Sequence, residues 1–234
     1  MPTKLRTFKV RQIRRLAALS LFLGIAGCLN PSTPSANPGA QATDRATPAG
    51  SPIVGERPLV VATNTVVCDL TRQIAADTVN LNCLVAPGQD PHGYAPKPDD
   101  RKAIEQAKLI LYGGYDFEPE LIKLIESTSN PASKVAVDEL AVPNPQQFEE
   151  DGKRENDPHV FHNAQNGALM AAVISKSLTQ LEPKQAALYE ANTKKLMGEL
   201  TQLHGWIKSE IGTIPPAQRK LVTTHEAFGY YSKA

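Results

Sequence analysis

The chain has 234 residues, 41% of them hydrophobic, enough for one large domain or for one domain and part of a second, which excludes a wholly disordered protein. Its formal charge of +1 hides a split: six of its 25 Lys and Arg lie in the first 27 residues, which hold no acid, leaving 19 cations against 24 Asp and Glu, about −5. An acidic body argues against nucleic acid as a partner and suits a cationic ligand.

The six N-terminal cations, Lys4 to Arg15, precede an apolar run from Leu16 to Ile25 that ends at Ala26, Gly27 and Cys28. Such a run is too short to cross a bilayer core of ~30 Å as a helix rising 1.5 Å per residue, so residues 1–27 read as a signal peptide. The stretch Gly24-Ile25-Ala26-Gly27-Cys28 resembles a bacterial lipobox, with Cys28 lipidated and becoming the new N-terminus. The alternative is an ordinary signal peptide with an incidental cysteine. Residues 28–58 are rich in Pro, Ser, Thr, Ala and Gly and nearly devoid of large apolar side chains. They cannot bury enough surface to offset their ordering entropy, and they read as a flexible tether.

Leu59 to Thr63 is a short apolar strand, and Asp69 to Ala76 has helical spacing with Leu70, Ile74 and Ala75 on one side. A second strand runs from Val79 to Val85. A helix spans Asp99 to Ala107, a third strand Leu109 to Tyr112 stops at Gly113-Gly114, a helix runs from Glu118 to Ser127, and a fourth strand covers Lys134 to Val137. Strand and helix alternate, which predicts an α/β fold: a parallel sheet covered by helices. Pro143 to Asp157 reads as a polar loop, Ala164 to Gln180 as a helix, and Lys184 to Ile211 as a helix on the order of 40 Å long, able to link two lobes. Pro215-Pro216 ends it. Lys220 to Thr223 then reads as a strand and Glu226 to Ser232 as a helix. The predicted parts are an N-terminal lobe over 59–182, a linking helix over 183–213, and over 214–234 either the start of an incomplete second lobe or an addition to the first sheet.

Cys68 and Cys83 are an even pair in an exported chain, hence a disulfide candidate. With Cys68 opening a helix and Cys83 late in the next parallel strand, the two would meet at one end of a βαβ unit. Two buried free thiols are the alternative.

Three of the five histidines sit in loops that follow predicted strands: His92 in Asp90-Pro91-His92, His159 in Asp157-Pro158-His159, and His225 after Lys220 to Thr223. Ligands of open α/β sheets bind outside the carboxyl ends of the strands, so the three would converge. Neutral imidazoles suit zinc and other first-row cations. The repeated Asp-Pro-His supplies a stiff turn, because proline fixes its own φ and restricts the residue before it. A single histidine is more often a surface or hydrogen-bonded residue; three in such settings point to metal.

At these residues a family resemblance enters. Thr65 to Asp100, with Asp90-Pro91-His92 and Pro98-Asp99, looks like the first metal loop of the zinc- and manganese-binding solute-binding lipoproteins of ABC importers, the TroA-like or adhesin B-like family. Asp157-Pro158-His159-Val160-Phe161 resembles their second metal motif, and His225-Glu226-Ala227-Phe228-Gly229-Tyr230-Tyr231 their third. The resemblance runs from Leu59 to the end of the chain. It implies two α/β lobes joined by a long helix with metal between them, His92 and His159 as ligands from the first lobe, and His225 from the second. The family's fourth ligand, a carboxylate late in the second lobe, has no counterpart: either the chain is C-terminally truncated, or another group or water fills the gap.

The implied cargo is Zn2+ or Mn2+, with zinc ahead because a histidine stands in the third motif. Glu226 is the alternative ligand should the motif shift by one residue. The loop before the second motif lacks the His-rich character of many zinc carriers. His162, three residues after His159, reads as a loop histidine, and His204 as solvent-facing. The implied role is capture without catalysis, outside the cytoplasm and anchored to the membrane by its lipid. Delivery would be to an ABC permease and its ATPase, with affinity falling below about pH 6 as ligand histidines protonate. Two rivals remain: a zinc metallohydrolase with Glu226 as base, for which His-Glu-x-x-His is missing, and an adhesin lipoprotein with a structural metal.

Overall fold

The structure is a computed structural model and describes residues 57–150 and 152–234. The signal peptide, Cys28 and nearly all of the tether lie outside the described residues. Four short strands, β1 (Leu59–Ala62), β2 (Asn80–Cys83), β3 (Leu109–Tyr112) and β4 (Ser133–Ala136), form a parallel sheet in the order β2-β1-β3-β4. β1 and β3 are central, and their side chains are buried on both faces. Val60, Ala62, Leu109 and Leu111 face one core, and Val61 and Ile110 face the other. That is the alternation a pleated strand imposes, and it explains why both read as unbroken apolar runs.

Helices cover both faces. On the first lie α1 (Thr65–Ala75), α5 (Ala164–Leu181) and the N-terminal part of α6 (Ala186–Gly212). On the second lie α2 (Pro98–Gln106) and α3 (Pro119–Ser127). Local chemistry sets the helix starts. Asn64 caps α1, its Oδ1 accepting from Val67 N at 2.9 Å, and Asn163 caps α5 by accepting from Gln165 N at 2.9 Å. Pro98 and Pro119 occupy the first turns of α2 and α3, where proline's missing N–H costs nothing. Cys68 on α1 and Cys83 on β2 form a disulfide with Cα atoms 5.8 Å apart.

The 27-residue α6 is only half embedded. Tyr189, Thr193 and Leu196 are buried, Tyr189 Oη lies 2.8 Å from Thr78 Oγ1, and Asn192 Nδ2 donates to Ile74 O at 2.9 Å. Beyond Leu196 the helix buries no residue and exposes Leu203 and Trp206. No helix among the described residues is long and apolar enough to cross a membrane.

The structure departs from the sequence reading in four places. A short helix, α4 (Val137–Ala141), follows β4 directly. The expected loop at 143–157 holds an antiparallel hairpin, β5 (Gln147–Glu150) and β6 (Lys153–Asn156). The expected strand at Lys220–Thr223 is irregular, because no sheet edge runs beside it, and Val222 is 93% exposed. The helix expected from Glu226 begins at Gly229 as α7 (Gly229–Lys233). These last residues add no strand to the sheet; they fold back to Gln146, whose N–H donates to the Tyr230 hydroxyl, and bury Ala227 and Tyr230.

Candidate metal centre

His92 sits on the loop after β2. Asp90 Oδ1 accepts from the backbone N–H of His92 at 3.0 Å, an Asx turn closed across Pro91. Two residues on, buried Tyr94 pins the loop, its hydroxyl donating to Asp100 Oδ2 at 2.9 Å with Leu84 O at 3.3 Å. Burial first, and then the hydrogen bond and charge of Asp100, push the Tyr94 phenol up to about 12, so it stays a donor at every physiological pH.

His159 follows β6 in the same turn. Asp157 Oδ1 accepts from His159 N at 3.0 Å and from His159 Nδ1 at 2.9 Å, with both residues buried. A proton held on Nδ1 by this carboxylate leaves Nε2 with its lone pair outward, the arrangement by which an outer carboxylate orients a metal-binding imidazole. That Nε2 lies 3.1 Å from Nε2 of His92. Two nitrogens bound to one tetrahedral ion at about 2.05 Å would stand about 3.3 Å apart, so the pair already has nearly the spacing of adjacent ligands.

His225 enters from the irregular stretch before α7, its ring 5.4 Å from that of His159 and 6.0 Å from that of His92. One ligand nitrogen from each of His92, His159 and His225 lies within 4.8 Å of the others. The third motif is held in place by its neighbours. Gln146 N donates to the buried Tyr230 hydroxyl at 2.8 Å, and Gln146 O accepts from Asp157 N at 2.8 Å. A Cβ on Gly229 would stand 2.8 Å from Asp157 Oδ2, so only glycine allows α7 this close to the carboxylate that orients His159.

Phe117 walls the site with an edge-on ring 5.0 Å from His92 and 5.6 Å from His159. It comes from the turn after β3, where Gly114, Tyr115 and Asp116 all have positive φ. The three histidines open onto a cavity of about 770 Å³ whose rim carries Asp116, Glu155 and Glu226.

The structure thus brings His92, His159 and His225 together. Glu226 lines the same cavity but stands outside the three-residue group. His162 stacks on Phe228 at 4.4 Å, and burial lowers its affinity for a proton. His204 lies on the distal part of α6 and borders a different cleft. Sequence reasoning missed Phe117, the hairpin wall and the orienting role of Asp157. Two of these had a signal: the Asp-Gly pair at 151–152 for the hairpin, and for Asp157 an acid two residues before a histidine of the cluster, which also marks Asp90.

The family described as "ZnuA: Zinc-uptake complex component A periplasmic" matches residues 60–234. A Streptococcus pneumoniae protein named manganese ABC transporter substrate-binding lipoprotein PsaA is 35% identical over 187 residues, covering 77% of this chain and 60% of that protein. The iron ABC transporter substrate-binding lipoprotein MtsA of Streptococcus pyogenes is 34% identical over 182 residues, 75% of this chain and 58% of that one. Among solved structures, the periplasmic zinc binding protein TroA from Treponema pallidum superposes with a TM-score of 0.71 at 30% identity, covering 77% of this chain and 64% of that one. The chain spans about 60% of the length of the curated relatives it matches.

Proposed function

The chain belongs to the ZnuA family of periplasmic zinc-uptake components, and from that premise we propose that it captures a divalent first-row metal ion for an ABC importer. The ion is taken outside the cytoplasm, by a protein anchored through lipid on Cys28, and passed to a membrane permease driven by an ATPase. The observation that carries this reading is the three imidazole nitrogens gathered within 4.8 Å, with Asp157 holding the His159 proton on the side away from them. In the proposed site His92, His159 and His225 bind the metal, and water or Glu226 fills the fourth position. Three imidazoles favour zinc over manganese, which prefers oxygen ligands, so zinc is placed ahead. The proposed division is a metal-binding lobe over 59–182, a linking helix over 183–213, and the beginning of a second lobe over 214–234.

Capture is preferred to hydrolysis, and to a structural metal in an adhesin, because relatives from different species carry substrate-binding names. Calorimetric titration of the chain with Zn2+, then with Mn2+ in competition, tests the proposal. One ion is expected to bind per chain, zinc more tightly, with binding lost in His159→Ala. Stoichiometric binding that survives the loss of both His92 and His159 would overturn it.

A further inference from the structure

Beneath the Phe117 wall lies a second polar centre that metal capture does not use. Glu118 and Asp138 are both fully buried, at 0% exposure. They converge over Gly113: a Cβ there would stand 2.9 Å from Glu118 Oε2, 3.3 Å from Asp138 Oδ2 and 3.2 Å from Asn64 Nδ2. The donors are divided unevenly. Glu118 Oε1 accepts from Gly113 N at 2.8 Å, from Asn64 Nδ2 at 3.4 Å and from the Thr63 hydroxyl. Glu118 Oε2 and both Asp138 oxygens have no donor. Among the described residues, no ion pair includes either acid.

Two carboxylates cannot both stay charged in so dry a place without a cation, because each raises the cost of ionising the other. Asn64 Nδ2, a donor and not a ligand, stands 3.2 Å from the same point over Gly113, which disfavours a metal there. We propose that Glu118 and Asp138 form a proton-binding pair, in which a neutral Asp138 donates to Oε2 of an ionised Glu118 and so locks the turn 113–118 under the histidine cluster.

Three donors stabilise the Glu118 charge against its burial, whereas Asp138 has none. Burial, then the Glu118 charge, then Glu139, hold the Asp138 carboxyl well above the usual carboxylate range. The other titratable groups facing the pair are Tyr112, Tyr115 and Tyr230, which stay neutral and bring no countercharge. The pair ties the ends of three strands. Thr63 and Asn64 follow β1, Gly113 follows β3, and Asp138, whose N–H donates to Gly113 O at 3.0 Å, stands just beyond β4. This inference rests on burial and donor count, not on the metal reading.

Isotope-edited infrared spectroscopy of the whole chain, with ¹³C-labelled aspartate, tests it without any variant. The expected result is a protonated aspartic carbonyl stretch that persists well above the ordinary aspartate range. Asp138→Asn should abolish that band. The sign of the accompanying stability change follows from linkage: a raised carboxyl pKa contributes fully below about pH 4 and loses its contribution as pH rises towards the folded-state value. The folding equilibrium of the native chain relative to Asp138→Asn should therefore fall by up to about tenfold per pH unit above about pH 4. An aspartate band that titrates wholly within the ordinary aspartate range, or a stoichiometric cation present in the native chain and lost from Asp138→Asn, would overturn the proposal.

Discussion

Asp157 does the most at the scale of single residues. Its Oδ1 serves both the N–H and the Nδ1 of His159, and its Oδ2 faces Gly229. Asp157→Ala should lower metal affinity by about 10- to 100-fold, as loss of an outer-shell orienter typically does, with His92 and His225 untouched. Titration calorimetry reads the change. Gly229→Ala should act through the same carboxylate: a methyl group 2.8 Å from Oδ2 forces α7 or Asp157 to move, costing on the order of 1–3 kcal/mol. Denaturant unfolding would show the loss of stability and a metal titration the weakened site. The histidines were legible because each sits in a motif that a linear reading can see. Phe117 and Gly229 were not, since a ring edge or a close approach exists only once distant loops meet.

Among the elements, α1 and β2 show how a short sheet is reinforced. β2 is an edge strand of four residues, Asn80–Cys83, with only β1 to hold it, and the disulfide fastens its end to the helix before it. Closing a loop of 15 residues contributes about 3 kcal/mol by the chain-entropy argument. The Cys68→Ser, Cys83→Ser double variant should lose roughly that amount in urea unfolding, keeping its secondary structure by circular dichroism.

The alternation of β and α was readable because β1 and β3 are buried on both faces and α1 and α5 carry apolar stripes. The β5–β6 hairpin was not, although Asp151-Gly152 is a favoured hairpin turn and Gly152 adopts a positive φ. Its strands, Gln-Phe-Glu-Glu and Lys-Arg-Glu-Asn, lack the apolar alternation that marks a half-buried strand. Leu221-Val222-Thr223 failed in the opposite sense, having strand composition with no neighbouring strand to accept its hydrogen bonds.

For the molecule as a whole, the main asymmetry is between the embedded and protruding halves of α6. Trp206 is the single tryptophan of the chain and is 60% exposed on the protruding half. Its emission should lie close to that of indole in water and be quenched efficiently by acrylamide; a blue-shifted, protected signal would show that this half is covered in solution. The fold class was legible at this scale because it follows from element order alone. The course of 214–234 was not, since nothing local to those residues announces that they turn back onto the loop at Gln146 and Asp157.

The half-free α6 has a mechanical consequence for the third histidine. The last apolar side chain by which α6 packs on the core is Leu200, and the chain is moored to the body again at Ala227 and Tyr230, so the intervening span is a bridge fixed at both piers. His225 stands two residues from the second pier and far along the chain from the first. The placing of the His225 imidazole is therefore set chiefly by the nearer mooring, where the Tyr230 hydroxyl accepts from Gln146 N at 2.8 Å.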